Sequence, residues 1–118
     1  MNYEELVSAY ETDVQFPDVS GMEHLAMLQT RSEIAQHEAQ LSEEERRRVQ
    51  QADHLLLQRA GQFYASIQRV ADLASWRRNE NVPVTHWWWY LDVITQLPLP
   101  LESSTASAQF ALELSPAL

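Results

Sequence analysis

Arg47 and His54 are the two residues whose types and spacing come nearest to a catalytic arrangement. Seven residues apart on a helix, they project within about 20° of each other, on the face opposite an apolar stripe. The other histidines are scattered, at His24, His37 and His86. Glu33 and His37 stand one turn apart and could share a ligand face. The chain has no Glu-x-x-His pair of the kind that builds a di-iron site and no His-Glu-x-x-His zinc motif, so Glu33 and His37 read as a solvated helix face. His86, beside a run of tryptophans, has the chemistry of an axial or stacking ligand for a flat cofactor, although a histidine near a helix start is more often structural. With Gly21 and Gly61 as the only glycines, no phosphate-cradling loop can form, and no Gly-x-Ser-x-Gly nucleophile motif is present. Cysteine is absent, which excludes thiol nucleophiles, thiolate zinc sites and disulfides. No metal and no cofactor are expected.

The Arg47/His54 pair resembles the Arg-x(4–6)-His signature of the HEPN group of small helical ribonucleases, although Arg48 stands where that signature usually has a polar residue. The resemblance is confined to these two positions. It implies metal-independent RNA cleavage at a dimer cleft, with Arg47 orienting phosphate and His54 acting in proton transfer. A solvated Arg/His face accounts for the same residues.

Aromatic residues offer a second kind of chemistry, that of recognition. Trp87-Trp88-Trp89-Tyr90 would open a helix running from about Thr85 to Gln96. Four successive helical positions span about 300°, so they cannot all enter one core. Trp87, Trp89, Tyr90, Leu91, Val93, Ile94 and Leu97 make a broad apolar face, whereas Trp88 falls with Asp92 and Thr95 on the polar side. An exposed tryptophan is the side chain most enriched at binding hot spots. Trp88, flanked by Trp87 and Asp92 and joined by Phe110 from the tail, is therefore the expected partner-binding surface. Burial of Trp88 beneath the N-terminal arm or the tail is the competing reading.

These residues need elements to position them, and the pattern predicts helices throughout. Ser42-Glu43-Glu44-Glu45 is a capping box. No proline follows until Pro83, and Val49, Ala52, Leu56, Ala60, Phe63, Tyr64, Ile67, Val70, Ala71 and Ala74 share one face. The expectation is one long central helix from Ser42 to Glu80, about 58 Å if unbroken, kinked at Gly61 or overhanging its core. Because Val49, Leu56, Phe63 and Val70 recur every seven residues, an overhanging stripe would pair with a second copy of itself. Shorter helices flank it: residues 2–14, with Tyr3, Leu6, Val7, Tyr10 and Val14 on one face, and Met22 to about Gln40. Gln40 and Leu41 either form a turn into an antiparallel hairpin or continue a kinked helix.

At 118 residues the chain is expected to be a single helical domain: an acidic arm over 1–19, a helical core over 20–97 and a tail over 98–118. Net charge is -9, and all eight basic residues are arginine. A strongly acidic chain without a basic stripe lacks the electrostatic footprint for nucleic acid and for anionic membranes. The N-terminus has no basic region before an apolar run, so a cytoplasmic location is expected. The arm, with five acids and no base, suits the arginine-bearing segment that follows, within the chain or in a partner. The leading expectation is a non-enzymatic, all-α protein-interaction module, homodimeric through the long helix. A ribonuclease and a cofactor carrier are the alternatives.

Overall fold

A computed structural model describes residues 3–97, and among these there is helix and turn but no strand. The tail over 98–118, and with it Phe110, lies outside the described residues. None of the described helices is long and apolar enough to cross a membrane.

Helix α1, Tyr3–Gln15, buries Val7, Tyr10 and Val14, the face its periodicity predicts. Helix α2, Gly21–Gln36, starts at a capping box: the Glu23 amide donates to Ser20 Oγ at 3.2 Å, and the Ser20 amide donates to the Glu23 carboxylate at 3.3 Å. It stops short of Gln40, giving way to a 3-10 turn at Glu38–Gln40. Helix α3, Glu43–Gln58, opens at the expected Ser42/Glu45 box, with hydrogen bonds of 3.1 and 2.8 Å.

The long helix does not run through to Glu80. It is divided into α3, α4 (Ala60–Ile67) and α5 (Leu73–Asn79). The first break falls at Arg59, not Gly61, and Arg59 uses its guanidinium on the carbonyls of Val14 and Gln15, 3.1 Å from each. Helix α1 has no basic residue in its own last turn, so Arg59 supplies the cation that its carbonyl end favours. The second break is closed by Asp72, whose side chain accepts from the amides of Ala74 and Ser75 and starts α5 afresh. The described residues measure 35 × 32 × 28 Å along their principal axes, which a straight helix of about 58 Å would overhang.

Breaking the helix folds its stripe inward. Val49, Ala52, Leu56, Ala60, Phe63 and Ile67 are buried within one chain, while Val70, at the second break, is exposed. Of the seam on which a homodimer was expected, Val49, Leu56 and Phe63 are covered within the chain and Val70 is left open. Helix α1, not a long central helix, lies against both α2 and α3, and α2 also packs on α4. Gly21 makes that last contact possible: a Cβ there would collide with the Ser66 carbonyl oxygen. The acidic arm meets the arginine-bearing segment as its charge suggests, since Arg48 of α3 reaches Glu4, Ser8 and Glu11 along α1.

The aromatic run also departs from expectation. Residues 87–90 form a 3-10 turn, followed by a single α-helical turn, α6, Leu91–Ile94, and Thr85 caps neither. The tighter winding changes which side chains point inward. Trp88 is 3% exposed, as is Trp89, so it is buried, though its contacts are with Arg31 and Ser32 of α2, while the tail named in the competing reading lies outside the described residues.

Candidate binding cleft

Two polar nodes hold the elements around the tryptophans. In the first, Arg31 of α2 donates from Nε and Nη2 to the two carboxylate oxygens of Asp53 on α3, at 2.8 and 2.9 Å. The Tyr10 hydroxyl of α1 donates to the same carboxylate at 2.6 Å. Burial, together with the adjacent Asp53 carboxylate, pushes the Tyr10 phenol well above its ordinary range. Burial works against the Arg31 charge, but the Asp53 hydrogen bonds outweigh it and the net direction is upward. Arg31 also lies over the Trp88 ring, 4.2 Å from its centre.

Ser32, the next residue, is the hub of the second node. Its Oγ receives the indole N–H of Trp88 at 3.0 Å and that of Trp89 at 2.7 Å. An indole N–H can only donate, so these two bonds occupy both acceptor positions of the hydroxyl. The hydroxyl proton is left for His86 Nδ1, 3.3 Å away. His86 is thereby assigned, by hydrogen-bond count, as the neutral imidazole carrying its proton on Nε2. Burial, and after it the Arg31 charge, lowers the His86 pKa, which agrees with that assignment. The ring stacks on Trp88 with centres 4.6 Å apart. Its Nε2 has no hydrogen bond to the described residues and is not sealed from solvent.

The second node forms the floor of an open cleft of about 330 Å³ between α2 and the segment from α5 to the 3-10 turn. Trp76 and Trp89 form one wall, stacked with centres 5.6 Å apart and planes 11° from parallel. Glu33 and Glu80 supply the charge, and neither carboxylate has a hydrogen bond or ion pair with the described residues. Among the described residues, no basic side chain lines the cleft apart from the neutral imidazole of His86.

The residues singled out from sequence fall in different places. Trp88 lies beneath the cleft, not on a surface, and Trp87 is half-buried edge-on against it. Asp92 pairs with Arg77 at 2.7 and 3.1 Å, and Arg77 also donates to the Trp89 carbonyl at 2.8 Å. Asp92 thus anchors the aromatic turn to α5. Arg47 and His54 are both exposed on α3 and do not line this cleft. Glu33 and His37 diverge: Glu33 faces the cleft, whereas His37 packs against the Tyr3 ring at 5.1 Å. Among the described residues no three His, Asp or Glu side chains gather as a metal site. Ser32, Trp76 and Glu80 were missed. A serine inside a helix and a glutamate near its end carry no local signal, but Trp76 could have been flagged as a fourth tryptophan outside the run.

No family model, curated protein or solved structure matches this chain.

Proposed function

We propose that this chain is a non-enzymatic protein-interaction module and that its partner seats in the cleft between α2 and the Trp76/Trp89 wall. The observation that carries this reading is the pairing, in one open cleft, of stacked tryptophans with two carboxylates that have no partner among the described residues. Aromatic side chains beside exposed polar groups are the composition of interface hot spots. The site replaces the Trp88 surface expected from sequence and keeps the same class of function.

A photo-crosslinking amino acid placed at Gln36, on the cleft, and at Gln50, on the exposed face of α3, tests it in native extract. A defined protein adduct is expected from Gln36 and not from Gln50, and it should be lost with Trp76→Ala. Equal labelling from both positions, or none from Gln36, overturns the reading.

A further inference from the structure

The chemistry of the cleft narrows what the partner presents. We infer that the cleft receives an arginine side chain of the partner, its guanidinium lying against Trp76 and between the Glu33 and Glu80 carboxylates. The inference rests on the interaction reading above and adds the chemical class that the cleft selects.

The wall and the charge each argue for it. Trp76 spends one ring face on Trp89, and its other face makes no aromatic or cation contact among the described residues. An indole face attracts cations, and a planar guanidinium can stack on it while keeping its N–H groups in plane for carboxylates. A lysine ammonium is a point charge and cannot do both with one plane. Among the described residues two guanidiniums already lie close over aromatic rings, Arg31 over Trp88 and Arg77 over Tyr90 at 4.2 and 4.4 Å. In those cases the guanidinium also holds a carboxylate, Asp53 or Asp92. Trp76 with Glu33 and Glu80 repeats that combination without a cation among the described residues.

Neighbouring groups bear on the charge. Arg31, beside Ser32, has both of its bonds to Asp53 made, and Arg77, which reaches the Trp89 carbonyl, is likewise paired with Asp92, so neither is free for the cleft carboxylates. His86 is held neutral by Ser32 and does not compete for the carboxylates. Its Nε2 proton is a donor and thus cannot receive the guanidinium. It is suited to a backbone carbonyl of the same partner segment.

Nuclear magnetic resonance titration of the full chain separates the possibilities, read at the Trp76 indole N–H and the His86 ring. The probes are the N-acetyl, N-methylamide derivatives of arginine, lysine and citrulline, the last an isostere of arginine without charge. Saturable shifts are expected with arginine, weaker ones with lysine and none with citrulline. Glu33→Gln and Glu80→Gln, which keep the shape of the cleft, should each weaken arginine binding roughly threefold. Citrulline binding as well as arginine, or arginine causing no saturable shift, overturns the inference. Neither result touches the crosslinking test at Gln36, so a cleft that captures a protein by other chemistry would still be recognised as an interface.

Discussion

Ser32 has one hydroxyl and three claims upon it. Replacing it with alanine leaves two buried indole N–H groups without an acceptor, and each such group costs about 1–3 kcal/mol. Ser32→Ala is expected to lower unfolding stability by about 2–4 kcal/mol in urea titration. The same change frees His86 Nδ1, so the imidazole should titrate closer to the ordinary histidine value of 6.5 than it does in the wild type. Because the folded state depresses this pKa, the unfolded chain takes up the proton first as pH falls. The contribution of His86 to stability is therefore full above about 6.5 and is lost progressively below it. Wild-type stability should decline through that window and the Ser32→Ala chain less steeply. A wild-type His86 that titrates at or above 6.5 would contradict the hydrogen-bond count. The Asp53 node makes a parallel case. Asp53→Asn strands a largely buried guanidinium and should cost about 3–5 kcal/mol, whereas adding Arg31→Met should recover much of that loss, since an uncompensated buried charge costs more than the absent pair.

At the scale of elements, the two glycines make opposite predictions from the same substitution. Gly21 sits where α2 meets the backbone of α4, and an added Cβ would collide with the Ser66 carbonyl oxygen and fall 3.1 Å from Val70 Cγ2. The obstacle is backbone, which cannot turn aside as a side chain can, so Gly21→Ala should destabilise by about 1–3 kcal/mol or force α2 off α4. Gly61, in α4, has nothing within 4 Å of its would-be Cβ, and Gly61→Ala should stabilise by about 0.5–1 kcal/mol through the unfolded chain's entropy. Thermal unfolding of both variants reads the two signs directly. The sequence pointed to Gly61 as the bend because glycine weakens a helix locally, but the bend lies at Arg59, where a side chain reaches the end of α1. A local rule cannot anticipate that, since the partner carbonyls lie 44 and 45 positions away. Asp72 was legible in principle: an N-cap residue type two and three positions before two free amides is a start signal, overridden here by an apolar stripe that continued across it. Helix content, the α1 face and the Ser42 cap could be read because each is written in neighbouring residues. The cleft could not, because Ser32 meets its tryptophans across 56 and 57 positions. The 3-10 turn that buries Trp88 was hidden for a related reason, since uniform helical winding is the assumption by which faces are assigned.

At the scale of the molecule, most of the arginines are spent internally. Arg31, Arg46, Arg48, Arg59, Arg77 and Arg78 each donate to a carboxylate, a hydroxyl or a carbonyl of the same chain. Among the described residues, only the side chains of Arg47 and Arg69 do not. With a net charge of -9, the field that reaches solvent is negative, and the cleft carboxylates stand within it. A basic partner would be drawn in by the whole field before it meets Trp76, so long-range attraction should appear in the association rate and short-range stacking in the dissociation rate. For a partner captured through Gln36, the association rate should fall about tenfold between roughly 0.05 and 0.5 M salt, as the screening length shrinks below the span of the charged surface. Trp76→Ala should instead speed dissociation and leave the salt slope unchanged. Stopped-flow or surface-capture kinetics of the two proteins at several salt concentrations separates these effects. An association rate indifferent to salt would mean that the acidic surface plays no part in recognition, and that the two carboxylates of the cleft act, if at all, only on contact.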